Sequence, residues 1–281
     1  RPDIKIGLIG CVGERLGSKL FDELPHLDFV MGTGCLSQAP MIFARLASGE
    51  THIVAGSADP FNEENVNTLH CSESALFSYV SVIHGCDQFC TYCIVPFTRG
   101  REKSREISAI CDEIGNLTEN GCREVLLLGQ NITAYGLAEA KKAGTYTDEI
   151  SPFADLLEAL QELPKLQRIR FTSPHVRFMN AKFIETVCAL PKVCKAFHIP
   201  LQSGSNRILE LMNRGYTVEE YLEKIAAIKS LAPDAVFSTD VIVGFPGESE
   251  EEFTKTREIM QQVGYDMAYI FRYSERTGTK A

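Results

Sequence analysis

The sequence predicts an α/β protein, an open, partial (βα)6 barrel of the TIM type preceded by part of a small α/β domain. Six strand-like apolar runs alternate with helix-forming stretches after residue 77, and such alternation is typical of parallel strands with right-handed crossovers. The 281 residues are about twice the length of one domain. A polar, aperiodic stretch at 56–74 separates the parts. We therefore expect domains at 1–75 and 76–281.

The composition is that of an ordinary globular protein, with 44% hydrophobic and 23% charged residues. This excludes a disordered chain, a collagen-like fibre and a coiled coil. The sequence contains neither an apolar run of about 20 residues nor a secretory signal. We expect a soluble, cytoplasmic, monomeric protein without membrane association. The net charge of −9 argues against a nucleic-acid surface over the whole molecule, but a local basic patch remains compatible with it.

The first domain is predicted from two apolar runs, each followed by a helical pattern. The runs cover 4–10 and 29–32, and the helical patterns cover 14–24 and 38–48. The chain begins at Arg1 directly before the first run, and we expect it to be a fragment of a longer protein.

The second domain supplies the six strand–helix repeats. Strands are predicted at 78–83, 124–129, 168–173, 196–201, 236–243 and 267–273. Helices are predicted at 104–119, 151–162, 179–190, 205–230 with a break near Arg214-Gly215, and 249–263. Six repeats are too few to close a full barrel. In barrels of this type the chemistry lies at the carboxyl ends of the strands.

The strongest chemical signal is a cysteine loop directly after the first of these strands. Cys86, Cys90 and Cys93 have C-x3-C-x2-C spacing. Three thiolates on a tight loop can hold three corners of a 4Fe–4S cluster, which normally takes four, so one iron stays open. Zinc is the main alternative, but it usually takes four ligands and no second pair is visible. Three unrelated thiols are the remaining interpretation.

Further segments follow the cysteine loop in a recognisable order. They are 93–105, 128–131, 171–175, 198–205, 211–217 and 240–248. With the cysteine loop, they resemble the radical S-adenosylmethionine (SAM) superfamily, and within it the methylthiotransferases. The forms Thr-Arg-Gly-Arg-Glu at 98–102 and Gly-Gln-Asn-Ile-Thr-Ala-Tyr-Gly at 129–136 are most similar to the branch of tRNA-2-methylthio-N6-dimethylallyladenosine synthases.

The resemblance implies two clusters. Cys86, Cys90 and Cys93 would ligate the first, whose open iron would bind SAM and whose reduced form would cleave it to methionine and a 5′-deoxyadenosyl radical. The segment around Cys11 resembles the third cysteine segment of the family's N-terminal domain, which binds an auxiliary 4Fe–4S cluster that delivers sulfur. The two other cysteines would lie upstream of Arg1. The family's RNA-binding β-domain would follow Lys280.

The resemblance also implies a set of SAM contacts at the strand ends. They are Gly129, Gln130, Ser173, Gln202, Ser203, Arg214, Ile242 and Gly244. Gly129 would allow close backbone approach, and Arg214 would bind the SAM carboxylate as a planar fork. Simpler interpretations are a turn at Gly129, satisfied polar groups at the barrel mouth, an exposed arginine and an ordinary buried strand.

A local basic patch lies beside the cysteine loop. It consists of Arg99, Arg101, Lys103 and Arg105, which we expect to contact tRNA phosphates. The alternative is a solvated helix start. For His84 and His198, at strand ends, a structural hydrogen-bonding role is the simpler interpretation.

The resemblance predicts a tRNA methylthiotransferase. It would convert N6-isopentenyladenosine beside the anticodon to 2-methylthio-N6-isopentenyladenosine, using two SAM molecules and an electron donor such as flavodoxin or ferredoxin. One alternative is a sister enzyme acting on threonylcarbamoyladenosine in tRNA or on a ribosomal-protein aspartate. Another is a non-catalytic metal-binding module that interacts with RNA.

Overall fold

A computed structural model describes residues 4–56 and 76–281. The described residues form two compact units. The first comprises the described part of Arg1–Leu69 with His84–Asp87 and Ile94–Arg101, and the second comprises the described part of His70–Ile83 with Gln88–Cys93 and Glu102–Ala281. Apart from Gly56, the predicted linker lies outside the described residues, so the boundary between 75 and 76 stays a prediction.

The first unit contains a three-stranded parallel sheet. Its strands are β1 (Gly7–Ile9), β2 (Phe29–Met31) and β3 (Ile53–Ala55), with β2 in the centre. Its helices are α1 (Cys11–Leu16), α2 (Leu20–Glu23), α3 (Ala39–Ala47) and α4 (Val95–Arg99). The helix expected over 14–24 is instead two short helices, because the chain turns at Gly17 with a φ of 51°.

From Phe77 onward the strands and helices alternate as predicted. The strands are β4 (Phe77–Ser81), β5 (Ile83–His84), β6 (Lys103–Ser104), β7 (Glu124–Leu128), β8 (Arg168–Phe171), β9 (Ala196–His198), β10 (Val236–Val243) and β11 (Met267–Arg272). The helices are α5 (Ile107–Glu119), α6 (Leu137–Ala143), α7 (Pro152–Gln161), α8 (Ala181–Ala189), α9 (Asn206–Leu211), α10 (Val218–Leu231) and α11 (Glu250–Val263). The predicted break near Arg214-Gly215 is confirmed, since α9 and α10 lie on either side of it.

Six of these strands pair in parallel as two three-stranded sheets. Their orders are β4-β7-β8 and β11-β10-β9, so the ladder divides between β8 and β9. At this point the Ile169 N–H donates to Lys192 O at 2.7 Å, and the Cys194 N–H donates to Ile169 O at 3.0 Å. The segment before β9 therefore takes the pairing positions beside β8.

Strands β4, β7, β8 and β10 bury alternate residues and leave the residues between them at least partly exposed, whereas β11 has no buried residue. In β10, Phe237, Thr239 and Val241 are buried, while the alternate residues are partly exposed, as the two-residue period of a strand requires. The buried core includes Phe153, whose ring packs edge-on against Phe171 with centroids 5.3 Å apart. The inner face borders a cavity of about 470 Å³.

Helix α11 begins with a capping box that also fastens the chain after β9. Ser249 and Glu252 exchange hydrogen bonds at the helix start. The Glu252 carboxylate additionally accepts from the Ser205 hydroxyl at 2.9 Å and from Arg207 Nε at 2.7 Å. The Gly204 N–H donates to Thr256 Oγ1 at 2.8 Å. One buried carboxylate thus connects the start of α9 to α11.

Within 4–56 and 76–281, no helix is both long enough and apolar enough to cross a membrane.

Candidate functional site

The start of the cysteine loop requires a glycine. Gly85 has a φ of 68°, and a Cβ there would lie 2.1 Å from Arg101 O, so no side chain fits. The next residue, Cys86, is buried, and its N–H donates to Gly100 O at 3.2 Å. The Gly-Cys pair therefore fixes Cys86 against the backbone at 100–101.

The segment after α9 holds the rest of the loop. Asn213 Nδ2 donates to Gln88 O at 3.0 Å and to Phe89 O at 3.1 Å, and the Thr91 N–H donates to Met212 O at 3.1 Å. Asn213 can do this because its own backbone is left-handed, with a φ of 57°, a region that asparagine tolerates. The sequence did not identify this role for Asn213.

Arg214 brings a buried cation to the thiol of Cys90. Its side chain is 6% exposed. Nη1 donates to Cys90 Sγ at 3.2 Å and to the Tyr92 hydroxyl at 3.4 Å, and Nε donates to the Tyr216 hydroxyl at 3.2 Å. Burial raises the pKa of Tyr92 well above its ordinary value of 10.0, so this hydroxyl stays neutral.

The surroundings of Arg214 fit an anionic sulfur. A buried cation needs compensation, and among the described residues no carboxylate forms an ion pair with Arg214. A thiolate at Cys90, bound to iron, would supply the missing charge, and Cys86, Cys90 and Cys93 are all free of disulfides. The donor set of this loop therefore fits a thiolate-bound cluster.

No three His, Cys, Asp or Glu side chains within 4–56 and 76–281 are grouped so as to hold one metal ion. In a 4Fe–4S cluster each thiolate binds a different iron. The three cysteines of such a cluster therefore do not need to contact one common metal ion.

Two predicted cofactor residues occupy unusual backbone conformations. Ser173, after β8, has a φ of 59°, and Gln202, after β9, has a φ of 65°. Neither residue is a glycine, and such conformations cost about 1–3 kcal/mol each and concentrate at functional sites. Gln202 is further fixed, since its N–H donates to Asp240 O at 2.9 Å and its carbonyl accepts from Ile242 N at 3.0 Å.

The other predicted cofactor residues differ in what surrounds them. A Cβ on Gly129 would lie 2.4 Å from Ile83 Cγ2, so this glycine is also required for packing, while Gln130 is exposed. Ser203 is fully buried, and its hydroxyl accepts from Ser205 N at 3.2 Å, which is a structural contact. Ile242 packs partly against the apolar cluster of Ile208, Met212 and Phe245, and Gly244 is exposed with a φ of 70°.

The structure adds two buried groups without hydrogen-bond partners at the ends of β7 and β8. Asn131 Nδ2 and both ring nitrogens of His175 have no partner among the described residues. The two residues are linked through Thr133, whose hydroxyl donates to Asn131 Oδ1 at 3.0 Å and accepts from His175 N at 2.8 Å. Buried polar groups are rarely left unpaired, so this pair is available to a water or a ligand. Only burial reveals it.

Burial, together with the charges of Arg214 and Arg177, holds the pKa of His175 well below its ordinary value of 6.5. The unfolded chain binds a proton there that the folded chain does not, so stability is complete above about pH 6.5 and is lost as the pH falls below it. The limiting slope of the free energy of unfolding is about 1.4 kcal/mol per pH unit.

We expect His175→Gln to flatten the pH dependence of the urea midpoint, followed by circular dichroism between pH 7.5 and 5.5. Equal slopes in wild type and His175→Gln would contradict this expectation.

The basic patch divides into structural and exposed members. Arg105 is 17% exposed, and its guanidinium forms an ion pair with Glu113 at 2.6 Å and donates to Ser81 O at 2.8 Å. This pairing leaves it little capacity for phosphate. Arg101 is 76% exposed and binds Asp87 through two hydrogen bonds of 2.6 and 3.0 Å. Arg99 is half-buried and Lys103 is exposed.

Cys11, predicted to belong to the auxiliary cluster, is the first residue of α1 and is half-buried. Its role in a cluster stays a prediction.

Comparison with known proteins agrees with this arrangement. The chain is 41% identical to the tRNA-2-methylthio-N(6)-dimethylallyladenosine synthase of Opitutus terrae over the whole chain and 64% of that protein. It is also 41% identical to the synthase of the same name from a Sulfurihydrogenibium species, again over the whole chain and 62% of that protein. The chain thus spans somewhat over half the length of these curated relatives.

Among solved structures, the fold is similar to the radical SAM methyltransferase TsrM from Kitasatospora setae, solved with cobalamin and a [4Fe-4S] cluster bound. The TM-score is 0.56 at 14% identity, over 70% of this chain and 34% of that one. Residues 80–260 match the model of the radical SAM superfamily. With the cysteine loop at the end of the first barrel strand and the parallel strands that follow it, the chain belongs to the radical SAM superfamily.

Proposed function

We propose that the protein is a radical SAM methylthiotransferase acting on tRNA. It would convert N6-isopentenyladenosine beside the anticodon to 2-methylthio-N6-isopentenyladenosine. The observation that carries this proposal is the buried guanidinium of Arg214 at 3.2 Å from the Cys90 thiol, in a chain about 40% identical to proteins named as such synthases. The cytoplasm is the compartment in which it would meet tRNA.

In this proposal Cys86, Cys90 and Cys93 hold a 4Fe–4S cluster. A reduced cluster held there would supply one electron for the cleavage of SAM to methionine and a 5′-deoxyadenosyl radical, which could attack an unreactive C–H bond. The protein binds, orients and excludes water. Asn213 fixes the loop between Cys86 and Cys90, and Arg214 stabilises the thiolate of Cys90 by donating to its sulfur.

The strained strand ends support the placement of SAM. Ser173 and Gln202 offer polar side chains at the carboxyl ends of β8 and β9, where barrel enzymes bind their ligands. Gln130 and Gly244 are exposed, and Ile242 offers an apolar surface to the adenine. Ser203 and Gly129 act on this region through packing.

Sulfur delivery requires a second cluster. We assign Cys11 to it, together with two cysteines that this sequence does not contain. One SAM would methylate sulfur there, and a second would give the radical. The electron would come from a flavodoxin or ferredoxin, and the enzyme would act as a monomer. Arg99, Arg101 and Lys103 are the members of the basic patch that we assign to tRNA phosphates. Arg105 is left out because its side chain is only 17% exposed and is bound to Glu113, whereas that of Arg101 is 76% exposed.

The iron and sulfide content after anaerobic reconstitution tests the proposal. In the full-length protein we expect about eight irons, falling to about four in a Cys86/Cys90/Cys93→Ala variant. A matched control removes three half-buried thiols elsewhere, Cys111, Cys188 and Cys194, and should keep about eight. About four irons in wild type and none in the variant would leave a radical enzyme without sulfur delivery. Zinc without iron would overturn the proposal and favour a metal-binding module.

The substrate is tested on anticodon stem-loop RNAs. Only the RNA that carries N6-isopentenyladenosine should yield a 2-methylthio product. Turnover on threonylcarbamoyladenosine alone, or on a ribosomal-protein aspartate, would assign the enzyme to a sister branch.

A further inference from the structure

Four side chains form a connected group on the inner face of the second three-stranded sheet. They are His198 on β9, Ser238 and Asp240 on β10, and Tyr269 on β11, and we call them the inner-face cluster. His198 pairs with Ser238 in the strand register, and Asp240 pairs with Tyr269. Ser238 and Asp240 are two residues apart and so share a face. None of the four is a predicted cofactor residue.

His198 uses both ring nitrogens within the inner-face cluster. Nδ1 lies 3.0 Å from Ser238 Oγ, and Nε2 lies 3.2 Å from Asp240 Oδ2. The ring also packs edge-on against Tyr269, with centroids 6.0 Å apart. The histidine therefore fixes the orientation of Asp240. The other carboxylate oxygen, Oδ1, has no hydrogen bond within the described residues, although the Asp240 side chain is only 29% exposed.

Three members of the inner-face cluster, His198, Ser238 and Tyr269, line the cavity on this face of the sheet. The cavity volume of about 470 Å³ is within the range of small-molecule pockets, about 300–1,000 Å³. The lining includes Phe77, Tyr79, Leu126, Met267 and Tyr269, of which Tyr79 and Tyr269 are 56% and 50% exposed. Such exposed aromatic and apolar side chains suit a flat heterocycle with an apolar substituent.

The charged groups at the cavity are already engaged. Arg170 lies 3.6 Å from Glu124, and Asp266 Oδ2 accepts the N–H of Phe237 at 2.8 Å. On β10, Asp240 lies two residues beyond Ser238, which is part of the cavity wall, and two residues before the predicted cofactor residue Ile242. An unpaired acceptor is thus present between the cavity and the cofactor region.

We propose that Asp240, oriented by His198 and Ser238, is the specificity-determining residue for the target nucleoside, and this rests on the proposed function. Its free oxygen accepts the hydrogen bond of the single N6–H that N6-isopentenyladenosine retains. The apolar isopentenyl group then enters the cavity, and the base lies beside Tyr269.

The test uses the full-length reconstituted enzyme and an anticodon stem-loop RNA with N6-isopentenyladenosine. Asp240→Ala should raise the KM for this RNA about 10- to 100-fold, as expected for a lost hydrogen bond to a charged group. SAM cleavage without RNA, measured as 5′-deoxyadenosine, should stay within about twofold of wild type. Asp155→Asn is the matched control, because that carboxylate pairs with Lys182 on the surface of α7, and it should change neither quantity.

A second RNA, methylated at N6 so that it lacks the N6–H, completes a double cycle. The KM of wild type for this RNA should rise as much as the KM of Asp240→Ala for the natural RNA. When the variant and the methylated RNA are combined, the KM should rise no further than with either change alone. His198→Asn and Asp240→Asn, which preserve polarity, guard against misfolding and should give smaller effects of the same sign.

Three results would overturn the inference alone. The first is an unchanged KM for the RNA in Asp240→Ala. The second is a double cycle in which the two increases in KM multiply. The third is an increase in KM that Asp240→Ala shows with the natural RNA but not with a 2′-deoxy nucleoside at the target position, which would assign Asp240 to the ribose. Parallel loss of SAM cleavage would assign Asp240 to the cofactor. If wild type forms no 2-methylthio product on any RNA while cleaving SAM, the proposed function itself fails.

Discussion

Replacing Arg214 with methionine should lower product formation at least about 100-fold and deplete iron from the reconstituted enzyme. The buried guanidinium donates to Cys90 Sγ and to the hydroxyls of Tyr92 and Tyr216. Removing one member of a buried charged pair costs about 3–5 kcal/mol, which exceeds a factor of 100 in an equilibrium. The measurements are iron per chain, the rate of SAM cleavage and the midpoint potential of the cluster.

The midpoint potential separates an electrostatic role of Arg214 from a purely structural one. Cations and hydrogen bonds at the sulfurs raise cluster potentials, so the iron that remains in Arg214→Met should be harder to reduce. Arg214→Lys keeps the charge but loses the planar fork, and should fall between wild type and Arg214→Met. Wild-type iron content and potential in Arg214→Met would contradict an electrostatic role for Arg214 at the cluster.

Gly204→Ala should destabilise the protein by about 3 kcal/mol, near the upper end for overpacking. A Cβ at this position would lie 2.5 Å from Thr256 Cα and 2.7 Å from Lys255 O. Both are backbone atoms of α11, so no side-chain rotation can relieve the contact. The glycine of the Gln-Ser-Gly-Ser segment therefore allows the chain after β9 to lie directly on α11. The free energy of unfolding in urea measures the effect.

The same substitution at Gly115 is the control. Gly115 lies within α5, and a Cβ there would meet nothing within 4 Å. Alanine at this position should stabilise the protein by about 0.5–1 kcal/mol, because it is the better helix former. Equal effects at Gly204 and Gly115 would refute the packing argument.

The barrel strands were predictable because each has a clear apolar period. The segment 236–243 was predicted as a strand and forms β10 over the same residues. The strand Ile53–Ala55 was missed because three residues carry no period. The division of the ladder between β8 and β9 depends on how Val193 pairs with Ile169, a contact that no sequence pattern encodes.

The parts of the site that lie close together in the sequence could be predicted, and the contacts between residues far apart in the sequence could not. The cysteine spacing is local, so it is visible in the sequence. The contact from Arg214 to Cys90 spans 124 residues, and the sequence could not distinguish it from an exposed arginine. The basic neighbours of Arg105 predict a contact with RNA phosphates. In the structure Arg105 instead forms an ion pair with Glu113 of α5. The left-handed backbones of Ser173 and Gln202 also have no residue signature, since neither is glycine.

The Glu252 carboxylate at the start of α11 means that different parts of the barrel are destabilised at different pH values as the pH falls. The hydrogen bond from Arg207, followed by that from Ser249 N, holds the pKa of Glu252 well below its ordinary value of 4.5. A lowered carboxyl pKa gives stability that is present above pH 4.5 and is lost only well below it. His175 begins to oppose folding already below about pH 6.5. In mild acid the loop after β8 should therefore loosen first, while the start of α9 stays bound to α11.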